Sequence, residues 1–240
     1  MMTTQWKQSK GLTIIYVGDG KGKTTAAVGA AVRALGHGWD IFFMQFMKEE
    51  KWPSGERDFF RALDSRTQPH PSSLRSSPLR GDSLLSSSAL PSLAEAMPAS
   101  SSTPLGGIAA DRGETPLQGT GKIRVEVVGE GFVGIMGDKK ERETHRTAAQ
   151  AGYEKAVAAL SAGKYQLVVL DEILSAVDEG LLTEQQILDL MTKKPEDVTL
   201  IMTGHKSYSA IFAKADLVTE MKKVKHPFDV GFIAKRGVDY

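Results

Sequence analysis

The 240-residue sequence contains no cysteine and no asparagine. Without cysteine there can be no disulfide, no thiolate metal site and no cysteine nucleophile. The five histidines, His37, His70, His145, His205 and His226, show no ligand spacing, so a structural zinc has no support. Without asparagine the Asn-Lys-x-Asp guanine reader of GTPases cannot be written. Long apolar runs are missing too: none approaches the roughly 18 residues of a spanning helix. The apolar stretch nearest the N-terminus, 12–17, is shorter than the roughly 7–15 residues of a signal-peptide core, and the expected location is the cytoplasm. Nor is there an excess of one charge. Lys and Arg number 30 against 29 Asp and Glu, and a net charge of +1 makes no electrostatic case for a nucleic-acid binder.

What is present belongs to the ordinary globular class, with 41% hydrophobic and 25% charged residues. Set against domains of roughly 100–200 residues, the length predicts one large domain or one domain with an insert. The insert is easy to place. Residues 65–121 hold 13 serines and seven of the ten prolines, with no periodicity that would bury a face, and read as a disordered, low-complexity segment. Residues 1–64 and 122–240 then form the domain. In it, apolar runs at 12–17, 40–46, 123–128, 166–170, 198–203 and 216–221 read as strands. Helical patterns at 24–35, 56–63, 141–160, 184–193 and 208–213 separate them. Thr183 and Gln186 match a capping box, and Gly36 and Gly163 fall where helix C-caps are expected. The β-α alternation predicts an α/β fold: a doubly wound, mostly parallel sheet with ligands at the C-terminal ends of its strands.

Directly after the first strand stands Gly18-Asp19-Gly20-Lys21-Gly22-Lys23-Thr24-Thr25, followed by the small-residue run 26–31. Glycines let backbone N–H groups converge on an anion, and a helix N-terminus adds partial positive charge. Lys23 can reach outer phosphates, and the Thr24 hydroxyl can meet Mg²⁺. The strict P-loop spacing asks for glycine at position 17, which is valine, so the loop is one residue short. The fourth strand delivers Asp171 and Glu172 at the same edge, where either can hold a metal bridging phosphate oxygens. These residues point to a nucleotide enzyme and leave its reaction open, an ATPase or kinase included.

The loop, Gln45-Phe46-Met47-Lys48, Trp52-Pro53-Ser54-Gly55-Glu56-Arg57, Gly129-Glu130-Gly131-Phe132, Val169-Leu170-Asp171-Glu172 and the 215–221, 225–229 and 236–240 segments closely resemble the P-loop ATP:corrinoid adenosyltransferases, in the family's order. The resemblance covers nearly everything outside 65–121. It implies a RecA-like P-loop topology and attack of a cob(I) corrinoid on the 5′ carbon of ATP, with release of triphosphate. It implies catalytic roles for Lys23, Thr24 and Glu172, and Mg²⁺ or Mn²⁺ held by Thr24, Glu172 and Asp171. Phe132 and Trp52 would contact the corrinoid, a flavin-dependent reductant would supply the electron, and the protein would be a homodimer. The family's Phe-x-Trp reads Phe132-Val133-Gly134 here, and its Thr-Gly-Arg reads Thr203-Gly204-His205.

Overall fold

A computed structural model of the chain describes residues 10–67, 121–131, 141–232 and 234–238. The chain divides into two units, Met1–Gln68 with Gly119–Tyr240, and Pro69–Gln118. The second unit, and with it the body of the expected insert, lies outside the described residues.

Among the described residues the first unit holds six strands and six α-helices, alternating except where α4 and α5 follow one another. In chain order they are β1 (Thr13–Val17), α1 (Lys23–Gly36), β2 (Ile41–Phe46), α2 (Gly55–Thr67), β3 (Ile123–Val128) and α3 (Arg142–Ser161). There follow β4 (Leu167–Asp171), α4 (Ile173–Asp178), α5 (Glu184–Lys193), β5 (Thr199–Thr203), α6 (Ser209–Lys214) and β6 (Leu217–Glu220). The strands form one all-parallel sheet in the order β3-β2-β4-β5-β1-β6, so β5 separates the loop-bearing β1 from the acidic end of β4. Parallel pairing puts every strand's C-terminus at one edge. Gln45 stands opposite Asp171, and Tyr16 opposite Thr203.

Strand alternation feeds two cores. Ile41 and Phe43 of β2, with Val169 and Ile201, meet α1 and α2 through Ala27, Ala31, Leu35 and Phe60. Phe42, Met44 and Phe46, with Val168, Leu170 and Met202, meet α3 and α5 through Tyr153, Ala156, Leu160, Ile187 and Leu190. Helices on both faces explain why the central strands are apolar throughout. Gly152 lets α3 approach closely, since a Cβ there would lie 2.7 Å from Val128 and 2.8 Å from Phe46.

The expected fold class is therefore the observed one, and all six expected strands are found within two residues of their predicted ends. The Thr183–Gln186 capping box is formed in both directions, Gln186 N–H to Thr183 Oγ1 at 3.2 Å and Thr183 N–H to Gln186 Oε1 at 2.9 Å. Gly163 takes a left-handed φ of 62° just after α3. Gly36 does not act as a cap: it is the last residue of α1, and Gly38, at φ 78°, makes the turn. Two short elements had no periodic signal to betray them, α4 and a 3₁₀ turn at Pro227–Val230. Helix α2 runs past the expected residue 63 to Thr67, and on the far side Gly121 N–H is already bonded to Leu35 O at 3.1 Å.

Candidate active site

The glycine loop turns directly from β1 into α1, as the sequence pattern requires. Its first half is knitted to neighbouring backbone. Gly18 N–H donates to His205 O (3.1 Å) and Gly20 N–H to Met221 O (2.7 Å). A Cβ on Gly18, whose φ is 110°, would lie 2.3 Å from Met221 O, so glycine is required there by both conformation and space. Asp19 accepts from Lys223 N–H at 3.1 Å, which holds its carboxyl below the usual range. Gly18 and Gly20 thus spend their amides inside the protein. The amides of Lys23, Thr24 and Thr25, in the first turn of α1, have no intrahelical carbonyl to bond, and Gly22 caps the helix from a left-handed conformation without a side chain. They are the donors available to an anion. Lys23 is buried, and its ammonium donates to Gly18 O (2.8 Å) and Gly20 O (3.0 Å). Lys21, Gly22, Lys23, Thr24, Thr25 and Glu172 together line a cavity of about 720 Å³.

At the end of β4 the two carboxylates part company. Asp171, fully buried, accepts the Thr24 hydroxyl at 2.9 and 3.2 Å and the Thr203 hydroxyl at 2.8 Å. Glu172 takes a left-handed φ of 62° that turns its side chain elsewhere. Its carboxylate accepts from Ser175 Oγ and lies 3.9 Å from His205 Nε2. Burial, then the neighbouring Asp171 charge, pushes the Glu172 carboxyl above its ordinary pKa. A hydroxyl and an ionisable carboxylate in contact beside a phosphate loop are hard oxygen donors of the kind Mg²⁺ takes when phosphates supply its remaining ligands. Thr24 and Asp171 therefore fit such an ion. Among the described residues no three His, Cys, Asp or Glu side chains form a ligand cluster of their own.

The sequence reading missed a group on the other side of Asp171. Gln45, fully buried, donates through Nε2 to Glu56 Oε1 (2.9 Å) and to Asp171 Oδ2 (3.4 Å). Lys48 Nζ lies 3.4 Å from Asp171 Oδ2 and 3.5 Å from Glu56 Oε1. Burial of Glu56 opposes its ionisation, but bonds from its own backbone N–H and from Gln45 outweigh it and lower its pKa. The resemblance had drawn attention to Gln45, Lys48 and Glu56 as parts of motifs. Only the pairing of β2 with β4 shows that Gln45 and Lys48 meet Asp171, with Glu56 held against both of them.

Of the two expected corrinoid contacts, Phe132 lies outside the described residues, as do Val133 and Gly134. Trp52 is half-buried, and its ring packs against Gly131, where a Cβ would be 3.3 Å away. Arg57, buried on α2, fastens this loop by donating to Trp52 O and, at 3.3 Å, to Glu49 O. His205 and Lys206 are exposed. Beyond β6, Phe228, Phe232 and Val238 line an apolar cavity of about 640 Å³ that reaches Lys21 of the loop.

Comparison with known proteins gives a concordant picture. The sequence profile of the family described as ATP:corrinoid adenosyltransferase BtuR/CobO/CobP matches residues 9–77 and 107–240. A corrinoid adenosyltransferase of Escherichia coli strain K12 is 27% identical over 98% of this chain and 89% of its own length. The corrinoid adenosyltransferase CobA of Salmonella typhimurium shows the same identity and coverage. One from Pseudomonas aeruginosa is 26% identical over 98% of this chain and 87% of its own.

Proposed function

The chain belongs to the ATP:corrinoid adenosyltransferases, transferases that move the adenosyl group of ATP onto a corrinoid, and from that premise we propose how its own residues divide the work. ATP and a corrinoid are its substrates. In the proposed reaction the cobalt of a cob(I) corrinoid attacks C5′ of ATP. A cobalt–carbon bond forms as the bond from C5′ to the α-phosphate oxygen breaks, and the electron pair leaves with the triphosphate. Charge therefore develops on the leaving group, and its stabilisation is the catalytic task.

The amides of Lys23, Thr24 and Thr25 bind that charge at the α1 N-terminus. The Lys23 ammonium exchanges its two loop carbonyls for phosphate oxygens. Mg²⁺ or Mn²⁺, when bound, supplies further stabilisation of the same charge. Thr24 and Asp171 would hold it, and Glu172 lines the same loop cavity. Gly18, Asp19 and Gly20 set the shape of the loop through their bonds to His205, Lys223 and Met221. Corrinoid binding is assigned to Trp52, which packs on Gly131, and to Phe132, and adenosine binding to the apolar cavity beside Lys21. The proposal extends to a homodimer in the cytoplasm served by a flavin-dependent reductant. It includes a catalytic domain of residues 1–64 and 122–240 in which the 65–121 insert has no chemical role. Among the described residues no helix is long and apolar enough to cross a membrane.

The observation that carries this assignment is the contact of the Thr24 hydroxyl with the buried Asp171 carboxylate beside the loop. ATP binding measured with and without Mg²⁺ tests it. Asp171→Asn is expected to abolish the gain that Mg²⁺ confers, whereas Phe132→Ala is expected to spare ATP binding and slow transfer. An undiminished Mg²⁺ effect in Asp171→Asn would refute the metal assignment.

A further inference from the structure

We infer that Lys48 is a second triphosphate-binding cation, parked between two carboxylates in the ligand-free protein and drawn onto the phosphates when ATP binds. The inference rests on the phosphate-site reading above and adds a residue to it.

The placement of Lys48 is built. It follows Met47, one of only two non-glycine residues with positive φ (59°) among those described; the other is Glu172. A buried residue held left-handed stores strain that its surroundings must impose. Those surroundings are visible: a Cβ on Gly129 would lie 2.9 Å from Met47 N and from Lys48 N and O, so the backbone here is packed tightly against the end of β3. The turn delivers Lys48 to the same strand edge as Thr24.

The ammonium is loosely held. Its distances of 3.4 Å to Asp171 and 3.5 Å to Glu56 exceed the roughly 2.7–2.9 Å of a strong charged hydrogen bond. The two carboxylates have other donors, since Gln45 bonds both and Thr24 and Thr203 bond Asp171. They remain partnered when the lysine leaves. The side chain is 21% exposed and, with Thr24 and Thr25, lines a cavity of about 380 Å³. A divalent cation between Thr24 and Asp171 would repel an ammonium at the same carboxylate, and a highly charged triphosphate bound beside Thr24 would compete with Glu56 for it.

The experiment is calorimetric titration of inorganic triphosphate with Mg²⁺ into the full chain and its Lys48→Met and Lys48→Arg variants. Affinity is expected to fall about tenfold or more in Lys48→Met, the loss of one charged hydrogen bond, and to return largely in Lys48→Arg. Equal affinity in the parent and Lys48→Met overturns the role of Lys48 alone, whereas a parent chain that binds no triphosphate overturns the phosphate site itself. Should Lys48→Met fail to fold, amine acetylation of the unsubstituted chain, read by mass spectrometry, answers the same question. Triphosphate is expected to protect Lys48, and unchanged labelling overturns the inference.

Discussion

Asp171 and Glu172 are adjacent in sequence and do different things, because a left-handed turn at Glu172 sends one carboxylate to Thr24 and the other to Ser175 and His205. Strand and loop patterns read from sequence place both at the right edge and cannot choose between them, since the choice lies in one φ angle. Lys23 and Thr24 were readable because the loop motif that names them is contiguous in the chain, although the Asp171 partner of Thr24 lies on β4. The meeting of Gln45 and Lys48 with Asp171, and of Glu56 with both of them, was not, because it requires β2 and β4 to be neighbours. Lys23→Ala should lower transfer by about 10²–10³-fold, as removal of a preorganised stabilising group does, with the folded state intact by circular dichroism. The Glu172 carboxyl, raised by burial and by Asp171, binds its proton more tightly folded than unfolded. Its ionisation therefore costs stability as pH rises through the folded-state pKa. Glu172→Gln is accordingly expected to raise the melting temperature of the ligand-free chain, and to do so more at about pH 8 than at about pH 4. An equal gain at both would mean that the buried charge is not what strains the site.

At the scale of elements, long periodic segments were readable and short ones were not. Helix α5 declared itself through Thr183 and Gln186, and loss of that box by Thr183→Ala should cost about 1 kcal/mol in denaturant unfolding. The six residues of α4 span too few turns to show a period, and they begin directly after the Glu172 turn. The loop is an element of a different kind, shaped by glycine against the chain beyond β6. Gly18→Ala would demand both a left-handed alanine and a Cβ 2.3 Å from Met221 O. It should lower stability by about 1–3 kcal/mol and weaken ATP binding. An alanine variant that binds ATP normally would show that the packing of the loop on Met221 is dispensable.

Over the whole molecule, function comes from parallel pairing, which gathers the ends of β1, β2, β4 and β5 at one edge although their residues are far apart in sequence. That architecture was readable because α/β alternation allows few arrangements and strands covered on both faces are apolar throughout. Leu35 and Asp40 meet the returning chain at Gly121 and Lys122 by the start of β2, away from the loop edge, and the proposal gives the 65–121 segment no part in the site. Replacing 69–118 with a short Gly/Ser linker is expected to leave ATP affinity within about threefold, because connection length costs little entropy. A larger loss would give the segment a part in the site.

The most direct test of the account is an anaerobic reaction of the chain with chemically reduced cob(I)alamin, ATP and Mg²⁺, with the visible spectrum and the phosphate products followed together. The account predicts adenosylcobalamin and intact triphosphate in equal amounts. ADP and phosphate without a cobalt–carbon bond would contradict it.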